Sequence, residues 1–365
     1  MLPKWFIEWN NRNPKDIYGP GILVGVVGGA VVVAALLVSW GGRPFAVEAA
    51  QTGPRGTGMS VTDYVSDLAA PDPTIAAYTS AAPVVPQAGD QLARDAYPNA
   101  EPSLGGLTVA NYDRLVGAMR VWTGIPTLFE GEENYQTLVA RQMIEMTQTL
   151  NDTWGGHTNL SGVAGVNCYT CHRGEPVPSN SWFRTGDTVT GMAGWGAVQN
   201  RVTPVSQYTS LPSSALEAYL LNAETIAVHD LDSRVPGGPT DEGYLAWQHT
   251  ERTYSLMNYF SNSLGVNCVF CHNSRAFYDV GQNTPQWATA QLGIGMVQDI
   301  NNTWLVPVGE LLPPERLGPA LADGTLNAPM AACATCHKGY QKPMGGMDMV
   351  SDWPELAAPG DPVYQ

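Results

Sequence analysis

Three short stretches carry the same residue types at the same spacing: CYTCH at 168–172, CVFCH at 268–272 and CATCH at 333–337. In each, two thiols three positions apart can add across both vinyl groups of one haem. The histidine directly behind them is then placed to ligate the iron, which is the c-type haem attachment pattern. All six cysteines, Cys168, Cys171, Cys268, Cys271, Cys333 and Cys336, are used in this way. No thiol is left for a disulfide, a zinc site or a lipid anchor. One CxxC alone would read as a zinc knuckle or a redox dithiol. Three copies, followed at once by His172, His272 and His337, point instead to three covalently bound haem c groups in an oxidising, extracytoplasmic compartment.

A six-coordinate iron needs a second axial ligand, and methionine is the usual soft partner. An internal repeat indicates where to look. MTQTLNDTW (146–154) and MVQDINNTW (296–304) share Met, Gln, Asn, Thr and Trp in register, and GVNC occurs at both 165–168 and 265–268. Three residues before each repeat marker stand Met143 (RQMIEM), Met257 (SLMNYF), Val116 (RLVGAM) and Gly293 (QLGIGM). A single helical methionine is usually core packing, but the shared register selects Met143 and Met257 as ligands. The Val116 unit has no CxxCH before the next helix begins near Tyr135, so it reads as a repeat that kept its helix and lost its haem. The Gly293 unit has a motif at Cys333 but offers the iron nothing, so that ligand must come from elsewhere. His157 in TWGGHTNL is the leading candidate, with Met296 and Met330 as alternatives.

Around these motifs the chain of 365 residues carries a formal net charge of -15. That charge argues against nucleic acid or an anionic membrane surface as a partner and suits a basic soluble one. Between Asp16 and Arg43 there is no charge, and about twenty apolar or small residues run through GILVGVVGGAVVVAALLV, enough for one bilayer-spanning helix. The competing reading is a signal peptide cleaved near AVEAA (46–50), whose apolar region would ordinarily be shorter. Lys4, Arg12 and Lys15 before the span favour a cytoplasmic N-terminus, with the haem domain in the periplasm. Gly21, Gly25 and Gly29 share one face and would admit a neighbouring helix.

The expected fold is mainly α: pseudo-repeated helix–turn–CxxCH units with long irregular connectors and one N-terminal transmembrane helix. The organisation reads as a cytoplasmic segment at 1–16, an anchor at 17–40 and an extended periplasmic connector at 41–107. A first haem-domain half at 108–200 holds one haem-less unit and one haem. A connector at 201–238, a second half with two haems at 239–350 and a tail at 351–365 complete it.

With QTGPRG (51–56), RQMIEMT (141–147), CYTCHRG (168–174), SLGVNCVFCHN (263–273) and GIGMVQDIN in this order, the chain resembles the cytochrome c subunit of the purple bacterial photosynthetic reaction centre. That family usually has four haems in two pseudo-symmetric halves, three with Met/His and one with His/His ligation. The resemblance implies Met143 with His172, Met257 with His272, and His157 with His337 as axial pairs. It also implies a trihaem form, because Val116 stands where the first haem's methionine would be and no cysteine pair follows. The N-terminal cysteine that often carries lipid in the family is absent, and the uncleaved helix would take over as anchor. The implied function is electron transfer from a soluble cytochrome c or high-potential iron-sulfur protein to the photo-oxidised special pair. Partners would then be the reaction-centre L and M subunits, with light-harvesting helices as a further contact. With both axial positions filled, no iron could bind substrate, so an enzyme is not expected. The rival reading is a membrane-anchored multihaem quinol dehydrogenase, with His157, His229 and His249 as distal ligands. It suffers because His229 lies in the acidic VHDLDSR and His249 lies two turns before Met257. The acidic EGEENY (130–135) reads as a solvated loop rather than a docking site.

Overall fold

The computed structural model of the chain describes residues 2–12, 18–39, 47–51, 60–64, 73–78, 80–98, 100–159, 165–185, 198–226, 246–277 and 279–364. Among them helices dominate, and two short strands, β1 (Val47–Gln51) and β2 (Ser60–Tyr64), pair with each other. The chain divides into two compact units, Met1–Ala50 with Thr62–Ala70, and Gln51–Val61 with Pro71–Gln365.

The first unit holds α1 (Lys4–Arg12) and α2 (Tyr18–Ser39). Space for the start of α2 exists because Gly19 has no Cβ, which would run into the Trp9 ring. Along α2 the apolar side chains point outward, with Ile22, Val24, Val26, Val31 and Leu37 all exposed. No helix among the described residues is by itself long and apolar enough to cross a membrane. In α2 the side chains described without a break run only from 21 to 37, although the helix itself has 22 residues. Lys15, Asp16 and Arg43 lie outside the described residues, as does most of AVEAA (46–50) at the level of side chains.

The second unit carries the three motifs. α3 (Val109–Thr123) starts at Thr108, whose hydroxyl accepts the Asn111 N–H, and stops at Gly124 in the left-handed region, φ 63°. α4 (Tyr135–Thr153) is capped by the Asn134 side chain, and α5 (Cys168–His172) is a single turn. α6 (Ala246–Leu264) gives way to Gly265 at φ 65°. α7 (Pro285–Asp299) begins with proline, whose missing N–H costs nothing there. It runs on through a wider π-type turn, Ile300–Leu305. α8 (Cys333–His337) is again one turn.

Two main apolar cores sit beneath these helices. The first gathers α3, Cys168 and Tyr169 of α5, and the C-terminal segment around Trp122 and Trp353, whose rings meet edge-on at 4.7 Å. The second joins Leu216, Tyr219 and Leu220 to Leu256 and Tyr259 of α6, and to Ile294 and Val297 of α7. Stretches that composition suggests are connectors and a tail supply part of both. Ala93, Leu104, Leu107, Trp353 and Leu356 enter the first core, and residues 215–220 enter the second. The tail is fastened by Arg114, whose guanidinium pairs with Glu355, donates to the Ala81 and Asp352 carbonyls, and lies 4.3 Å over the Trp353 ring.

Candidate haem sites

The turns at Cys168 and Cys333 are built alike. In α5 the Asn167 N–H donates to Thr170 Oγ1 at 3.1 Å, and in α8 the Ala332 N–H donates to Thr335 Oγ1 at 2.9 Å. The threonine before the second cysteine therefore caps its own motif. Each turn ends on a left-handed residue, Arg173 or Lys338, both at φ 52°, and then a glycine, Gly174 at 88° or Gly339 at 89°. The Gly174 N–H donates to Trp122 of α3, and the Gly339 N–H to Ser263 of α6, both at 2.8 Å. Gly124 and Gly265 make the same close approach: a Cβ on either would overlap the carbonyl of Gly174 or Gly339. Entry to each motif is clamped by the repeat's asparagine. Asn151 exchanges two hydrogen bonds with the Val166 backbone (2.7 and 2.8 Å), and Asn301 does so with Ala331 (2.9 and 3.0 Å).

Two of the proximal histidines, His172 and His337, are set as metal ligands ordinarily are, with Nδ1 bound to protein. His172 Nδ1 donates to the Glu175 carbonyl at 2.8 Å, and His337 Nδ1 to Tyr340 at 3.0 Å. Burial holds all three proximal imidazoles below their ordinary range, most of all His337 at about 4, which favours the neutral form that can bind iron. Burial also pushes the Cys168 and Cys333 thiols up to about 12.

The structure brings two of the three expected axial pairs together. Met143 and His172 line one cavity of about 380 Å³, with Cys168, Met119, Leu128 and Phe183 also in its wall. The His157 and His337 rings lie 6.1 Å apart between centroids, with their planes at 66°. That spacing suits a shared metal, since two metal–imidazole bonds of about 2 Å plus roughly 1.1 Å of ring on each side span a little over 6 Å. Gly293 makes room for this: a Cβ there would sit 2.6 Å from His157 Cε1. His157 Nδ1 donates to the Thr289 carbonyl, also on α7, at 3.0 Å. The alternatives Met296 and Met330 are spent on packing, at 7% and 1% exposure. Met257 is half-buried on α6 against the second core, and His272 lies beyond the end of that helix with the Phe277 ring 5.5 Å away. Their pairing rests on sequence register. His249 sits near the start of α6, and His229 lies outside the described residues. Neighbouring sites touch: Cys171 Sγ lies 2.8 Å from Cys336 Sγ.

The Val116 unit, which has no CxxCH, keeps the outline of a motif-bearing unit. Val116 precedes Gly124 by eight residues, as Met257 precedes Gly265. Continuing in that register, Thr127-Leu128-Phe129-Glu130-Gly131 stands where Cys268-Val269-Phe270-Cys271-His272 stands. The Glu130 N–H reaches the Thr127 carbonyl at 3.0 Å, as the Cys271 N–H reaches Cys268 at 3.4 Å. Both thiols and the imidazole are gone, and Val116 is buried in the first core. Glu130 pairs with Arg120 at 2.9 Å, while Arg141 bridges buried Glu101 and Glu133 at 2.7 and 3.1 Å. Aligning the two glycines reveals this remnant; a search for CxxCH does not.

Turns that present paired thiols and a carbonyl-oriented histidine, set on helices offering methionine or histidine, define a c-type cytochrome with more than one haem site. The family model for the photosynthetic reaction centre cytochrome c subunit matches residues 42–357. Proteins named photosynthetic reaction center cytochrome c subunit are 54% identical in Roseobacter denitrificans, over the full length of both chains, and 36% identical in Rubrivivax gelatinosus, over 90% of this chain and 87% of the relative. Another from Thermochromatium tepidum is 31% identical over 89% of this chain and 78% of the relative. The chain belongs to the photosynthetic reaction centre cytochrome c subunit family. It is a membrane-associated electron-transfer subunit of the reaction centre, carries covalent haem c, and is an electron carrier rather than an enzyme.

Proposed function

We propose that this subunit carries three haems, ligated by Met143 and His172, Met257 and His272, and His157 and His337, and that its first-haem position is lost. The observation that supports this most is the His157–His337 approach over Gly293, where a side chain at 293 would exclude the ring. Each bound haem supplies one reversible electron. The chain's own residues fix both axial positions, keep water and substrates off the iron, and tune its potential through ligand type and burial. Packing supports an order of the sites: Cys171 Sγ lies 2.8 Å from Cys336 Sγ, and α8 packs on α6, which carries Met257. With haems held there, electrons from a soluble periplasmic donor would enter near Cys168, pass the His157/His337 site and leave from the site at Cys268 toward the special pair.

α2 serves as the membrane anchor in this reading, with the N-terminus cytoplasmic and the L and M subunits as neighbours. What supports it is the sequence: the uncharged run between Asp16 and Arg43 holds about twenty apolar or small residues, which at about 1.5 Å rise each would span a hydrocarbon core of roughly 30 Å. Apolar side chains on every side belong in lipid or a core. A pyridine haemochrome titration should give three haems per polypeptide, and four or two would refute the ligand scheme. The native chain should stay in the membrane through an alkaline wash, whereas a chain lacking residues 1–40 should be released from membranes that contain no reaction centre.

A further inference from the structure

The three proximal histidines are not oriented by the same means. His172 and His337 each donate Nδ1 to the backbone carbonyl three residues on, Glu175 and Tyr340. That carbonyl is turned toward the ring by the left-handed residue and glycine after the histidine, Arg173-Gly174 and Lys338-Gly339. The motif at 268–272 is followed by Asn273-Ser274, with neither feature. Here fully buried Asn273 makes its own turn, its Oδ1 accepting the Arg275 N–H at 3.0 Å and its Nδ2 donating to Gln282 at 3.1 Å. Consequently His272 Nδ1 is buried without a hydrogen bond of good geometry. Among the described residues of the segment 268–284, the one other side-chain atom in the same condition is Asn283 Oδ1, an acceptor without a donor.

The segment carrying Asn283 is stapled to the motif. The Thr284 N–H donates to the Cys271 carbonyl at 3.1 Å, and Thr284 Oγ1 to the Phe270 carbonyl at 2.7 Å. Asn283, one residue before that staple, is thereby held beside the motif with its Oδ1 unmatched. We infer that Asn283 is the positioning residue for His272: its Oδ1 accepts the Nδ1–H, fixes the tautomer and so sets the basicity of the nitrogen turned to the iron. A side chain thereby does at this site what backbone carbonyls do at the other two, and substituting it perturbs the histidine of this haem and of neither other one.

This inference rests on the reading of 268–272 as a haem site, so the test separates the two. In purified reaction-centre complexes, Asn283→Ala should remove the acceptor, make the ligand less electron-donating and shift one midpoint potential upward. Asn283→Asp should strengthen the acceptor and shift the same potential downward, because an acceptor on the far nitrogen raises ligand basicity. The other two haems should stay within error. Shifts of the same sign in both variants, or no shift in either while three haems remain attached, would overturn the inference and leave the haem assignment intact. A count below three in the unsubstituted protein would overturn both.

Discussion

Gly293→Ala sets a local gain against a functional loss. In the interior of α7, alanine is favoured over glycine by about 1 kcal/mol of helix propensity. The new methyl, however, would lie 2.6 Å from His157 Cε1 and 3.0 Å from Nε2. Ordinary carbon contacts begin near 3.5 Å, so the ring must retreat by roughly 0.9 Å. A metal–imidazole bond of about 2 Å has no room for that change. Nor can the ring slide along the helix without giving up its 3.0 Å bond to the Thr289 carbonyl. The iron held by His337 should therefore lose its sixth ligand while all three haems stay attached. Electron paramagnetic resonance should show one new high-spin signal beside two unchanged low-spin ones, with helix content by circular dichroism equal or slightly raised. His157→Met, whose flexible thioether can use the space over Gly293, should remain low-spin and move that one potential up, since methionine ligation raises haem potential. Three unchanged low-spin signals in the alanine variant would show that His157 does not need the gap, and the assignment of that ligand would fall.

The net charge of -15 should steer a basic donor, so second-order re-reduction should slow steeply as salt shortens the Debye length to roughly 8 Å. A salt-independent rate in flash kinetics would point to an apolar docking surface instead. Arg114→Met strands Glu355, whose side chain is only 1% exposed, and loss of one partner from such a pair costs about 3–5 kcal/mol. Thermal unfolding should register that loss, and adding Glu355→Gln should recover part of it; additive losses would mean the pair is not coupled.

Haem attachment was legible because it is local: two thiols and an imidazole within five residues declare themselves without a fold. His157 was singled out for a different reason, a gap in a repeat, and its ring occupies the room over Gly293 that the gap leaves. What the sequence hid were contacts made far along the chain by residues of ordinary type. Ala93, Leu104 and Leu107 follow no helical or strand period because turns separate them, yet they fill the first core. Thr170 and Thr335 look like filler inside CxxCH until the N–H three residues back is seen bound to each hydroxyl. Asn151 and Asn301 stood in the repeat all along, but only their bonds to Val166 and Ala331 show what the repetition preserves.

The same contacts give the Val116 unit a role without a CxxCH of its own. α3 carries Val116 where α6 carries Met257, and no cysteine or histidine stands at 127–131, yet the helix is buried and well capped. Its Trp122 carbonyl holds the Gly174 N–H, and Gly124 lets the Gly174 carbonyl come close, just as Ser263 and Gly265 do for Gly339. α3 and α6 are thus each the platform for the turn of another CxxCH motif. Valine at 116 leaves that support untouched. Deleting α3 would take the support from under Cys168 and His172, so in the trihaem reading proposed above the helix is kept where the haem is not.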